Sequence, residues 1–335
     1  MSPASAQKIL LSAVKPTNFL TLGNYLGALK NWVKLQSQYD CLFFVVDLHA
    51  ITVRQDPKEL RESTYFAVAN YIAAGIDPHQ SILFVQSHVP EHAELSWILT
   101  CFTYMGELNR MTQFKDKAGK EGTNIGAGLF NYPVLMAADV LLYQTNLVPV
   151  GADQKQHLEL TRDIAIRMNN IYGKDLFTVP DIYIPPVGAK IMNLQDPTSK
   201  MSKSDDEGSG NIYLSDSDDV ITKKIKRAVT DSKNEINYSE DQPGVQNLIT
   251  IQSAILGKTP QEIVASYAGK QYGHLKVETA EIVAEHLKPI RQKAQDILKD
   301  KAELDRIFKT NAEKARERAQ KTLKKVYERI GFVPR

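Results

Sequence analysis

The chain carries only two cysteines in 335 residues, Cys41 and Cys101. Each sits in an apolar stretch without metal-ligand spacing, which excludes a disulfide framework and a cysteine-based zinc site. Both are expected to be reduced core residues. No run approaches about 18 uninterrupted apolar residues, so no membrane-spanning helix is expected. Residues 1–8 lack the apolar segment and cleavage pattern of a secretion signal, and a cytoplasmic location is the expectation. Neither G-x-G-x-x-G nor G-x-x-x-x-G-K is present, which excludes the dinucleotide fingerprint and the P-loop. His88-Val-Pro-Glu-His92 has an i, i+4 histidine spacing, but Pro90 lies between the two and no third ligand is evident, so no metal site is expected. There are no internal repeats and no low-complexity tracts.

Net charge is small overall and unevenly spread. The net charge is +2, yet residues 281–335 hold fifteen Lys/Arg against nine Asp/Glu, a net +6 that leaves residues 1–280 at −4. The C-terminal end is where a polyanion would feel attraction, with a solvated helical face as the competing reading.

What is present is an alternation of strand and helix. Residues 9–14 are an apolar run of strand length. Lys15-Pro16-Thr17-Asn18 breaks it, and Thr21-Leu22-Gly23-Asn24 opens an amphipathic helix to about residue 36. A strand followed by a helix start presents free backbone N–H groups to an anion. Residues 41–48 are almost continuously apolar, as a parallel strand buried on both faces should be, and end in the polar groups Asp47, His49 and Thr52. Helices over 57–74, 91–104 and 107–117, with a strand over 81–86, complete a βαβαβ pattern. This predicts an α/β fold with a doubly wound, parallel, Rossmann-type sheet. From about residue 215 the pattern is helical throughout, which predicts an all-helical C-terminal domain. The expected division is 1–205 and 206–335, with the last helix packing back on the first unit.

Three stretches concentrate polar chemistry. Residues 129–144 form an apolar helix with one acid, Asp139, in its middle. A buried carboxylate needs a donor, from the protein or from a ligand, and the pattern leaves both open. Gly151-Ala-Asp-Gln-Lys-Gln-His157 starts the next helix after a strand at 147–150, with Asp153 at its N-cap position. Lys200-Met201-Ser202-Lys203-Ser204, between Pro197 and the glycines Gly208 and Gly210, reads as a mobile loop. Its two ammonium groups and several hydroxyls suit a polyphosphate whose charge redistributes during reaction.

T-x-G-N at a helix start and K-M-S-K-S some 180 residues later resemble the paired signatures of class I aminoacyl-tRNA synthetases, the first with both histidines of H-x-G-H replaced. Val46-Asp-Leu-His-Ala-Ile-Thr-Val, Gly106-Glu-Leu-Asn-Arg-Met-Thr-Gln-Phe-Lys, Pro133-Val-Leu-Met-Ala-Ala-Asp139 and Val150-Gly-Ala-Asp-Gln-Lys-Gln-His157 are similar to the bacterial tryptophanyl-tRNA synthetase family, over nearly the whole chain. The resemblance implies activation of L-tryptophan by ATP with Mg²⁺ carried on the nucleotide, pyrophosphate release, esterification of tRNA(Trp), and a homodimer. It implies an indole acceptor in Asp139, a tryptophan pocket of Met136, Val148, Val150, Gln154 and His49, and catalytic roles for Lys200, Lys203, Ser204 and Asn24. For ATP it implies Lys15, Pro16, Thr17, Gly23, Asn24, Gly151, Ala152, Asp153, Ile191 and the loop residues Lys200, Met201, Ser202, Lys203 and Ser204. A tyrosine-specific relative, a smaller nucleotidyltransferase and a paralogue that binds without charging tRNA are the competing readings.

The chain departs from that family's pattern in one cluster. Ala13, Lys15 and Asn18 stand in the G-x-(Gln/Arg)-P-(Ser/Thr)-G segment, and Ala152 stands where Gly-Glu-Asp has its Glu. Lys15 and Ala152 together would make an ATP-facing pocket more positive by two charges, with altered ATP or Mg²⁺ dependence expected.

Overall fold

A computed structural model describes residues 7–16, 20–112, 126–149, 151, 154–183, 190–201 and 209–334. Strand β1 (Ile9–Val14) leads into α1 (Leu22–Asn24), a π-helical turn over Tyr25–Leu29 and α2 (Lys30–Leu35). Strand β2 (Asp40–Val45), the short α3 (Asp47–Ala50) and α4 (Pro57–Ala74) follow. Then come β3 (Ile82–Val85), α5 (Glu91–Thr100), α6 (Met105–Asn109), α7 (Ala127–Leu141), β4 (Leu147–Pro149), α8 (Lys155–Tyr172) and β5 (Asp181–Tyr183). Beyond them the described chain is helical: α9 (Asp218–Lys226), α10 (Pro243–Leu256), α11 (Pro260–Ala265), α12 (Tyr272–Lys299) and α13 (Lys301–Ile330).

Among the described residues the strands form one parallel five-stranded sheet in the order β3-β2-β1-β4-β5. The order reverses between β1 and β4, the position at which doubly wound sheets open a crevice at their carboxyl ends. Strand β2 is buried along Cys41–Val45, and its alternation divides the interior in two. Phe43 and Val45 join Leu10, Trp32 and Tyr71 on one face, while Phe44 joins Leu11, Leu95 and Val134 on the other. The first of these cores runs on without a break through Met201, Ile212 and Ile221 to Leu287 and Ala294, so the helices after residue 215 share apolar interior with the sheet.

Helix α13 ties both cores together. Leu304 and Phe308 belong to the first, and Ala312, Ala315, Ala319, Leu323 and Val326 to the second. It therefore crosses the sheet at its β3 edge, where Asn311 Oδ1 accepts from the Leu83 backbone N–H at 3.4 Å. Four of its ten basic residues are engaged with acids of the sheet half: Arg316 with Glu91, Arg318 with Asp40, and Lys325 and Arg329 with Asp175. Part of the C-terminal positive charge thus fastens a helix to the sheet.

Several boundaries differ from expectation. The helix expected over 91–104 ends at Thr100, and Cys101 beyond it is exposed, not core, while Cys41 is buried. The helix expected over 107–117 is α6, and residues 113–125 lie outside the described chain.

Candidate active site

The carboxyl ends of β1, β2 and β4 open onto a cavity of about 660 Å³, within the usual range for a small-molecule site. Lys15, Asn24, His49, Met136, Asp139, Val148, Gly151 and Gln154 all line it. Eight residues drawn from five separate stretches of sequence therefore converge on one space. Ser12, Trp32, Tyr71 and Tyr132 line it too and were not foreseen; all belong to apolar runs whose pattern reads as core. Thr17, Val150, Ala152, Asp153, Ser202, Lys203 and Ser204, with Asn18, lie outside the described residues.

Asp139 is 3% exposed, and the protein supplies it with donors. Gln86 Nε2 donates to Oδ1 at 2.7 Å, His92 Nδ1 donates to the same oxygen at 2.6 Å, and His49 Nε2 donates to Oδ2 at 2.8 Å. Of the two sources of donors that the sequence leaves open, the protein supplies these: His92 and Gln86 hold Oδ1, and His49 holds Oδ2. Each carboxylate oxygen accepts about two hydrogen bonds, so Oδ1 is filled and Oδ2 keeps one acceptor position. Burial pushes the Asp139 pKa up, but the hydrogen bonds from His49 and His92 outweigh it and hold the group below the ordinary carboxylate value. Tyr143, buried beside Asp139 and Glu91, has its pKa pushed well up and keeps its proton. Its hydroxyl therefore donates to His92 Nε2 at 2.7 Å, which leaves the proton on Nδ1, facing Asp139.

A second relay orients Gln154. Tyr132 and His157 Nε2 are 3.0 Å apart, and His157 Nδ1 and Gln154 Oε1 are also 3.0 Å apart. With the tyrosine hydroxyl donating, the imidazole passes its other N–H to the amide oxygen of Gln154. Tyr132 also meets the His49 ring edge-on at 6.1 Å, so the two relays brace one another across the pocket.

The helix start at Thr21 is more occupied than the sequence suggests. Asn24 Oδ1 accepts from the Thr21 N–H and hydroxyl at 3.2 and 3.0 Å, and the Asn24 N–H donates to Thr21 Oγ1 at 3.2 Å. The Leu22 N–H donates to Ile212 O at 2.8 Å. Two of the first three helical N–H groups are thus spent within the protein, and Asn24's free capacity is its Nδ2 donor pair. Gly23 is approached by the chain itself: a Cβ there would stand 2.8 Å from the Met201 carbonyl oxygen. The two signature stretches are in direct contact.

Lys200 is exposed, but its root is ordered rather than loose. Met192 and Lys200 face each other in an antiparallel bridge, flanked by Asn193 N–H to Ser199 O and Met201 N–H to Ile191 O, both 2.9 Å. Ile191 and Met201 are wholly buried in the first core, and neither lines the cavity. Pro16 is likewise buried and does not line the cavity.

Asp139 is the one carboxylate lining this cavity among the described residues, and it is already bonded to three donors. No group of three or more His, Cys, Asp or Glu suited to a metal occurs among the described residues. The donor set fits an anion with its own counter-ion better than a protein-held cation.

Comparison with known proteins agrees with this arrangement. Residues 5–288 match the family described as tRNA synthetases class I (W and Y). Over 329 residues the chain is 58% identical to the tryptophan--tRNA ligase of Clostridium perfringens, covering 98% of this chain and 99% of that protein. The crystal structure of tryptophanyl-tRNA synthetase from Mycoplasma pneumoniae superposes with a TM-score of 0.89 at 37% identity, covering 98% of each chain. That of the Campylobacter jejuni enzyme, complexed with ADP and tryptophan, gives 0.84 at 36% identity over 97% of this chain and all of that one.

Proposed function

Since the chain belongs to the class I tRNA synthetases of the tryptophan and tyrosine type, we infer that it is a tryptophan--tRNA ligase, activating L-tryptophan with ATP and then charging tRNA(Trp). The observation that carries this reading is Asp139 on the floor of the cavity, with a single acceptor position left on Oδ2. Indole presents one N–H and no acceptor, so it complements a carboxylate whose other positions are filled. Met136 and Val148 supply apolar walls, and Gln154, bonded by His157, is assigned to the substrate ammonium.

The reaction needs no protein nucleophile. The tryptophan carboxylate attacks the α-phosphorus of ATP in line, forming the mixed anhydride as pyrophosphate leaves. The protein's share is positioning and stabilisation of phosphate charge. Lys15, the Nδ2 of Asn24 and Lys200 are assigned to the nucleotide, together with Gly151 and with Ser202, Lys203 and Ser204. Mg²⁺, riding on the phosphates, neutralises part of their charge. Attack on the resulting adenylate by a terminal ribose hydroxyl of tRNA(Trp) then releases AMP.

The helices beyond residue 215 are assigned to tRNA, with exposed Lys288 and Lys293 on α12 as phosphate contacts whose strength falls with salt. A second copy of the chain is assigned to the face where Ile51 and Trp97, 59% and 70% exposed, line one cleft, since adjoining exposed apolar surface marks an interface. A tRNA-charging enzyme meets its tRNA in the cytoplasm, and that compartment is assigned here.

Exchange of labelled pyrophosphate into ATP, driven by tryptophan and run in parallel with tyrosine, tests the reading. Exchange with tryptophan alone is expected. Exchange with tyrosine alone would overturn the specificity, and none with either would overturn the activity.

A further inference from the structure

The Ile191–Asn193 segment has two edges. One pairs with Ser199–Met201 and so carries Lys200. In such a bridge the N–H and C=O of Met192 point away from Lys200, toward the opposite side. There they meet no strand. Asn247, on α10 and 3% exposed, takes both: its Oδ1 accepts from the Met192 N–H at 2.8 Å and its Nδ2 donates to Met192 O at 2.9 Å. One step along, the Val229 N–H donates to Leu194 O at 2.8 Å, and the Leu194 N–H donates to Gly210 O at 2.8 Å. The turn joining the two halves is also fixed, with Asn193 Oδ1 accepting from the N–H groups of Gln195 and Asp196 at 2.8 and 3.1 Å.

We propose that Asn247 is a positioning residue for Lys200: its amide stands in for the missing neighbouring strand and fixes the register of the segment that presents Lys200 to the nucleotide. The proposal rests on the assignment of Lys200 to ATP. A side-chain amide has the donor and acceptor of a peptide group, and here both are spent on a single residue of the backbone. Neither atom is left for packing or solvent, so burying Asn247 costs desolvation that only this clamp offsets. The clamp also gives the helical region a fixed grip on the root of the Lys200 segment. Its energetic effect should surface in the transition state, where phosphate charge moves, rather than in tryptophan binding at Asp139. Sub-ångström shifts of a charge-stabilising group cost rate.

The test is a double-mutant cycle on the full-length protein, read by tryptophan-dependent pyrophosphate exchange. Asn247→Ala is expected to lower kcat roughly tenfold to a hundredfold while the KM for tryptophan stays within about twofold. Asn247→Asp keeps the acceptor for the Met192 N–H and the side-chain volume but loses the donor, and is expected to fall between wild type and Asn247→Ala. Lys200→Ala should lower kcat by itself, and adding Asn247→Ala to it should cost little more. Losses that multiply in the double variant, or a tryptophan KM that rises in step with the fall in kcat, would overturn the coupling while leaving Lys200's assignment intact. An unchanged kcat in Lys200→Ala would overturn that assignment, and the proposal with it.

Discussion

His92 Nδ1 lies 2.6 Å from Asp139 Oδ1, and its other ring nitrogen lies 2.7 Å from the Tyr143 hydroxyl. The proton order Tyr143 to His92 to Asp139 therefore keeps the carboxylate a pure acceptor at the cavity floor. Asp139→Asn replaces an acceptor oxygen by a donor that must face His92, Gln86 or His49. The tryptophan KM in pyrophosphate exchange should rise about 10- to 100-fold, the equivalent of about 1.5–3 kcal/mol for a hydrogen bond to a charged group.

The same relay has a pH signature. Burial opposes the charge on Asp139, but its histidine donors outweigh burial and the folded pKa lies below the ordinary value. The folded protein then releases this proton at lower pH than the unfolded chain does, so the group's stabilisation is fully present above the unfolded value of about 3.9 and is lost as pH falls through the folded pKa. Urea denaturation of wild type and Asp139→Asn should show a stability difference that is flat from neutral pH to about pH 5 and narrows only in stronger acid.

Gly23 and Met201 leave no room for a methyl group between the two signature stretches. Gly23→Ala must displace the Met201 carbonyl, a backbone atom that cannot swing aside, at a cost of about 1–3 kcal/mol by the usual scale of overpacking. The expected readout is a lowered kcat for adenylate formation with the tryptophan KM preserved, since Asp139 lies across the sheet. A lowered melting temperature should accompany it.

Arg316 holds Glu91 at 3.1 Å, with Gln320 Nε2 adding a bond at 3.0 Å. Glu91 is 4% exposed. Removing the guanidinium by Arg316→Ala strands a buried carboxylate, but the arginine is partly solvated, so about 1–3 kcal/mol is expected rather than the full cost of breaking a wholly buried pair. Urea unfolding measures the loss, and kcat below the melting range should be unchanged.

Trp97 is 70% exposed on α5 and lines a surface cleft with Ile51. Trp97→Glu adds a charge where a partner surface is expected to press, and light scattering after gel filtration should show the dimer giving way to monomer. A wild-type protein that is already monomeric would exclude the assigned face.

Legibility in the sequence followed locality. Helix α4 was readable to the residue because its signals are adjacent in the chain: Asp56 caps it, Pro57 opens it and Gly75 closes it in the left-handed region. Strand β1 was equally plain, whereas the strand expected over 41–48 ends at Val45 and its last residues open α3 at Asp47. The π turn at Tyr25–Leu29 has no periodicity of its own. Cys101 read as core because the apolar run continues past the turn that ends α5. The site was legible as a set of stretches but not as a set of bonds. Nothing local announces that His92, with its metal-like spacing to His88, serves Asp139, or that Met201 faces inward. Charge misled most: counting lysines and arginines in α13 cannot reveal that Asp40, Glu91 and Asp175 wait for them far up the chain.

The course of α13 also bears on the order in which the molecule is assembled during synthesis. Strand β3 is the open edge of the sheet, and the helix that crosses it lies more than 200 residues downstream. Until that helix emerges from the ribosome, the Leu83 N–H at this edge lacks its Asn311 acceptor. An exposed strand edge is a template for pairing with other nascent chains. The sheet half can therefore collapse early but cannot be sealed early, and a ribosome stalled before α13 would release a species with its edge uncovered. Once α13 follows, the ion pairs from Arg316, Arg318, Lys325 and Arg329 fasten the covering helix in place.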